Sequence, residues 1–116
     1  MAQDVESKII QARNRIEEIR KRITAMDLVS SGTLLRRTKT CGKKSCRCAA
    51  DVEARHGPYN EWNRREDGRL VHITISDEQA KAAAGAIANF REVQRLLAQW
   101  ERETVLIIKA ARTRKS

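Results

Sequence analysis

Asn60-Glu61-Trp62-Asn63-Arg64-Arg65-Glu66-Asp67-Gly68-Arg69-Leu70-Val71-His72-Ile73-Thr74-Ile75 is the stretch whose reading decides the fold, because its apolar residues recur at every second position. Asp67-Gly68 supplies the residue types that a two-residue hairpin turn demands. A turn placed there sets Asn60 opposite Ile75, Trp62 opposite Ile73 and Arg64 opposite Val71. Trp62, Val71, Ile73 and Ile75 then share one face, while Glu61, Asn63, Arg65, Leu70, His72 and Thr74 share the other. A slip of one residue would scatter the apolar set over both faces, so the alternation selects this register.

Upstream, Thr33 to Thr40 opens with Leu34-Leu35 and continues with Arg36, Arg37 and Lys39, which suits a third strand. On both flanks the period lengthens to that of a helix. Val5, Ile9, Ala12, Ile16, Ile19, Ile23 and Met26 step alternately by four and three residues among Arg, Lys and Glu, the pattern of a coiled-coil seam. Ser30-Ser31-Gly32 punctuates the exit, predicting a helix over 1–29 that ends near Asp27 to Val29. The second helix is predicted over 77–112, with Ser76 and Gln79 at capping-box spacing and a seam of Ala86, Phe90, Val93, Leu97, Trp100, Thr104, Ile107 and Ala111. Ala82-Ala83-Ala84-Gly85-Ala86 offers a surface of small residues where a tight helix contact is expected.

The expected fold is α+β and a single domain over 1–116. Long terminal helices close as an antiparallel helical hairpin, or as a dimeric coiled coil with a second copy. A two- to three-stranded antiparallel sheet and a cysteine-rich loop occupy 33–75 between them, and residues 113–116 form a basic tail.

Within that middle segment, Cys41-Gly-Lys-Lys-Ser-Cys46-Arg-Cys48 precedes His56-Gly57-Pro58-Tyr59. Three thiols cannot all pair within one chain, whereas three thiolates and an imidazole complete the tetrahedral shell of a structural Zn2+. Cys46 and Cys48 are two apart, so in extended chain both reach the same side. Gly42 permits the positive φ of a tight loop, and Gly57-Pro58 fixes the chain after His56. Lys43, Lys44 and Arg47 stabilise thiolates. Asp51, Glu53 and His72 are alternatives to His56 as fourth ligand. A redox or nucleophilic thiol would want a positioned base, and no paired carboxylates, nucleophile elbow or phosphate-binding glycine loop accompany the cysteines, so no enzyme is expected.

The strings Gly32-Thr33-Leu34-Leu35-Arg36-Arg37, Cys41-Gly42-Lys43, Cys46-Arg47-Cys48 and His56-Gly57-Pro58-Tyr59, followed by a hairpin and a long helix, resemble a family of small prokaryotic proteins found around transposons and other mobile elements. The resemblance covers roughly residues 30 to 100. It implies a mobile-element or phage context and joint action of the cysteines with His56, and it brings no activity with it. The chain departs from the family after the His-Gly-Pro-Tyr string, where Asn60-Glu61-Trp62 is comparatively polar.

The formal charge is +9, and it is uneven: residues 33–70 carry ten Lys/Arg against five Asp/Glu, while the two helical segments are nearly balanced. Such an excess points to a polyanion, and DNA or RNA is the expected partner. The candidate contacts are Arg36, Arg37, Lys39, Lys43, Lys44, Arg47, Arg55, Tyr59, Arg65 and Arg69, with Arg64 in the same cluster. Trp62 belongs by register to the core and Tyr59 to the outer face, so phosphate contact is favoured over base stacking. Lys109, Arg112, Arg114 and Lys115 either extend this surface or solvate a helix end. The alternative is a coiled-coil adaptor that binds a protein or a second copy through its helices. No leader or membrane-spanning pattern is legible, and a cytoplasmic location is expected.

Overall fold

The computed structural model describes the backbone of residues 2–115 and the side chains of residues 4–111. The fold is α+β: helix α1 (Ala2–Thr24), strand β1 (Thr33–Lys39), two single-turn 3-10 helices (Arg47–Ala49 and Val52–Ala54), strands β2 (His56–Glu66) and β3 (Arg69–Ile75), and helix α2 (Asp77–Lys115). The chain forms two compact units. One comprises the residues up to Asp27 with those from Asn89 onward; the other is Leu28–Ala88. The anticipated tail at 113–116 has its side chains outside the described residues.

In the Leu28–Ala88 unit the strands form one antiparallel sheet in the order β1-β2-β3. The hairpin register is the predicted one: Trp62 faces Ile73, Arg64 faces Val71 and Asn60 faces Ile75. Asp67 and Gly68 both take positive φ, +52° and +79°, so the turn twists with the strands it joins. Strand β1 adds Leu34 opposite Trp62 and Leu35 opposite Glu61. Between the pairs Arg37–Tyr59 and Lys39–His56, β2 holds one more residue than β1, a bulge at Gly57-Pro58. A side chain at Gly57 would lie 3.0 Å from the Arg37 carbonyl oxygen and 2.9 Å from the Tyr59 nitrogen, so only glycine fits where the two strands converge.

Helix α2 begins with the reciprocal capping box: the Gln79 N–H donates to Ser76 Oγ at 3.1 Å, and the Ser76 N–H donates to Gln79 Oε1 at 2.8 Å. Its first residue, Asp77, accepts from Asn60 Nδ2 at 2.7 Å and from Arg36 at 3.3 Å. The Asn60 bond, followed by the Arg36 charge, holds the Asp77 carboxyl below its ordinary pKa. The small-residue surface does meet another backbone, since the Ser30 N–H donates to the Ala86 carbonyl at 3.1 Å. The partner is the extended segment after α1 rather than a helix, and a methyl at Gly85 would meet nothing within 4 Å. Trp62 and Ile75 from the sheet, Ala82, Ala83 and Ala86 from the helix, and Leu28 and Val29 line an apolar groove of about 340 Å3.

In the other unit every anticipated seam residue of α1 is buried or half-buried, and every described residue between them in the helix is exposed. The helix stops at Thr24 instead of reaching 29. Thr24 Oγ1 donates to the carbonyls of Arg20 and Lys21, and the Met26 N–H bonds back only three residues to Ile23, so the last turn tightens and ends. Helix α2 runs past 112 to Lys115. Its seam differs at one position: Leu96 is fully buried, and Leu97 is 52% exposed. The covered face of the helix is wider than one seam: the neighbouring four-three row of Asn89, Glu92, Leu96, Gln99, Glu103, Leu106 and Ala110 is buried or half-buried throughout, and Leu96 belongs to it. Arg15 pairs with Glu103 and Arg22 with Glu92, both at 2.8 Å.

Candidate metal centre

The chain leaves β1 at Lys39 and returns at His56, and the intervening loop holds little apolar material. Of its residues only Cys48 is buried, at 2% exposure, so packing alone gives the loop few reasons to adopt one shape. Gly42, at φ +82°, makes the turn that lets Cys41 face back. Cys46 precedes the first 3-10 turn and Cys48 lies inside it. Asp51 caps the second turn by accepting the Glu53 N–H at 3.0 Å, and also pairs with Arg47 at 3.3 Å. His56 opens β2, held in place by its pairing with Lys39.

These elements converge the side chains of Cys41, Cys46, Cys48 and His56 until their ligand atoms all lie within 4.8 Å of one another. Cys46 Sγ is 3.4 Å from His56 Nε2, and Cys48 Sγ is 3.6 Å from Cys41 Sγ. The cysteines are free thiols. These two spacings are close to tetrahedron edges about one point, and the four ligand atoms together form a group that could hold a metal ion. Asp51, Glu53 and His72, the alternative fourth ligands, are not in it. The Cys48 N–H donated to Cys46, with further hydrogen bonds from the Cys48 and Cys41 thiols, holds the Cys46 thiol below its ordinary pKa. Cys48 itself accepts the Cys41 N–H at 3.3 Å, which lowers its pKa, but burial and its two thiol neighbours outweigh that bond and leave it raised.

The register divides the basic candidates. Arg37, Lys39, Tyr59 and Arg65 lie on the outer face of the sheet, whereas Arg36, Arg64 and Arg69 lie on the face of Trp62. Lys43, Lys44, Arg47 and Arg55 are exposed in the cysteine loop. Several charges are already met by acids: Arg36 by Asp77, Arg47 by Asp51, Arg64 by Glu66, and both Arg37 and Lys39 by Glu61. Lys43, Lys44 and Arg55 make no ion pair among the described residues, and Arg65 donates to the Gly68 carbonyl.

Glu61 is the feature the polar-face reading passed over. It is 7% exposed, although it sits on the outer face. Arg37, Lys39 and His72 surround its carboxylate at 3.4 to 3.7 Å. Burial raises its pKa, but a hydrogen bond from Asn63 and the charges of Arg37, Lys39 and His72 more than reverse that, leaving it below the usual carboxylate value. The signal was cross-strand: Arg37 and His72 both lie diagonal to Glu61 once β1 is in register.

Residues 7–84 match a family described as Domain of unknown function (DUF6788). The chain belongs to that family. The match spans α1 from residue 7, the sheet, the whole cysteine loop and the start of α2. Comparison with curated proteins and with solved structures gave no match. No helix among the described residues is long and apolar enough to cross a membrane.

Proposed function

We propose that this DUF6788 member is a small zinc-stapled protein that binds DNA or RNA through its phosphates. The observation that carries the reading is the convergence of Cys41, Cys46, Cys48 and His56 in a loop that also carries the unpaired cations Lys43, Lys44 and Arg55. In a zinc tetrahedron the sulfur–sulfur edge is about 3.8 Å and the sulfur–nitrogen edge about 3.6 Å. The spacings of 3.6 and 3.4 Å in this loop fall within a few tenths of those edges. Zinc supplies the cross-link that the thin core of the loop lacks, and a Cys3His shell leaves no open position for hydrolytic chemistry. The four residues hold the ion; the lysines and Arg55 offset the charge of three thiolates and face solvent as phosphate contacts.

On this reading the helices are scaffold. Their pairing within the chain as an antiparallel hairpin is supported by Arg15–Glu103 and Arg22–Glu92, in which the order of residues along one helix is reversed along the other. The resemblance of the cysteine and His-Gly-Pro-Tyr strings to proteins found around mobile elements supports an accessory role on the nucleic acid of such an element, in the cytoplasm.

Metal analysis of protein purified without added metal is expected to give one zinc per chain. Fluorescence anisotropy with a labelled mixed-sequence oligonucleotide is expected to show affinity falling steeply as salt rises, because each phosphate contact releases counterions. Joint reversal of Lys43 and Lys44 to Glu should abolish binding with the zinc retained. Undetectable binding of both duplex and single strand at low salt would end the nucleic-acid reading.

A protein-adaptor reading has one observation in its favour: Ile10, Leu97, Val105 and Ile108 are exposed apolar residues on the two helices. It expects self-association or partner capture that Ile108→Glu removes, with nucleic-acid binding absent from the start.

A further inference from the structure

Beside the metal group a cleft of about 240 Å3 opens on the outer face of the sheet, lined by Lys39, Thr40, Cys41, His56, Tyr59 and Thr74. Resting on the phosphate-binding reading above and going beyond it, we infer that this cleft is a seat for one unpaired nucleobase, so that the protein prefers single-stranded nucleic acid.

The wall has the chemistry of such a seat. Tyr59 is 37% exposed, and glycine at 57 leaves the space that its ring edge occupies: a methyl there would come within 3.0 Å of Cδ2. The ring is therefore held against backbone at the bulge while the cleft lies beside it. The hydroxyls of Thr40 and Thr74 each donate and accept, so they can meet either polarity of a base edge. Lys39 stands at the ring with its ammonium 5.9 Å from the centroid and 3.7 Å from Glu61 Oε2. Both contacts are loose, and a long flexible side chain can exchange them for the phosphate next to a seated base. Stacking of a base on an aromatic ring outweighs an exposed cation–π contact of this kind.

The same wall disfavours other occupants. A bare phosphate would find only one lysine or arginine on this wall, Lys39, which Glu61 already engages at 3.7 Å. A duplex keeps its internal base faces stacked on one another and can offer Tyr59 only its two terminal pairs. The metal group sets one side of the cleft, because Cys41 and His56 belong to both.

The test compares a short labelled oligonucleotide as a single strand and as a blunt duplex at low salt. The wild-type protein is expected to bind the single strand about tenfold more tightly. Tyr59→Ala, with its zinc content unchanged, should bring single-strand affinity down to that of the duplex and leave duplex affinity where it was, whereas Tyr59→Phe keeps the preference. Thr74→Met, which fills the cleft with an unbranched side chain that offers no stacking ring and leaves Tyr59 in place, should also erase the preference, and it decides the matter if Tyr59→Ala does not fold. Equal affinity of the wild type for both forms, or equal losses on both forms in Tyr59→Ala and Thr74→Met, overturns the seat while the phosphate-binding reading stands. Absence of all binding overturns both.

Discussion

Gly32 lies directly against the indole of Trp62: a methyl on Gly32 would come within 2.5 Å of Nε1 and 2.7 Å of the Asn63 carbonyl oxygen. The contact fixes the entry to β1, where the Trp62 Nε1–H also donates to the Ser31 carbonyl at 3.4 Å. Gly32 has φ +130°, a region closed to side-chain-bearing residues, so strain and overlap act together. Gly32→Ala is expected to cost about 2–4 kcal/mol, from backbone strain and overpacking in similar shares. Gly42→Ala, with a positive φ of +82° but open space around it, should cost about 1–2 kcal/mol. Urea midpoints of the two variants measure the difference; equal losses would mean that the overlap with Trp62 is relieved at no cost.

Chelation should act locally before it acts globally. The metal loop has one buried residue, Cys48, whereas the sheet and helices have their own hydrogen bonds and apolar contacts. Cys48→Ser is expected to abolish zinc binding and to expose the backbone between 41 and 56 to protease, with far-ultraviolet dichroism reduced only slightly. His56→Ala, which removes the one imidazole of the group and leaves the three thiols, should weaken zinc affinity rather than abolish it. Loss of helical signal on chelation would show that the metal supports the whole chain.

The hairpin was legible because its period of two and its Asp67-Gly68 turn agree, leaving a single register that keeps the apolar residues together. The capping box at Ser76 was legible because its two hydrogen bonds need only residues three apart. The metal group was legible as a set of ligand types, although spacing alone left Asp51, Glu53 and His72 as rivals to His56. In the structure it is His56 whose ring lies among the three thiols, while Asp51 caps a turn and His72 lies against Glu61. Glu61 itself was not legible, because its burial comes from long side chains on two neighbouring strands, and one of those strands reaches its register through a bulge.

Leu96 and Leu97 are adjacent leucines in one helix, and only burial distinguishes them. Leu96 is fully buried where Ile19 and Gln99 line the same groove, and Leu97 is 52% exposed. Leu96→Ala should therefore cost about 2–5 kcal/mol and Leu97→Ala less than about 1 kcal/mol. The reverse order in urea unfolding would restore the strict four-three seam and place Leu97 against α1.

Glu61 makes the stability of the sheet depend on acid. Its pKa in the folded protein lies below the ordinary carboxylate value, so the unfolded chain binds its proton more readily as pH falls. The stabilisation is complete above the unfolded pKa of about 4.3 and is lost as pH falls through the lower folded value. Glu61→Gln cannot lose a proton, and it leaves Arg37, Lys39 and His72 facing one another without a carboxylate. The variant should be less stable than wild type near neutrality, and the gap should narrow steadily from about pH 5 downward. Because the cysteines and His56 are the same in both proteins, the difference between their thermal midpoints isolates the carboxylate. A gap that stays constant across that range would mean that the groups around Glu61 do not hold its charge.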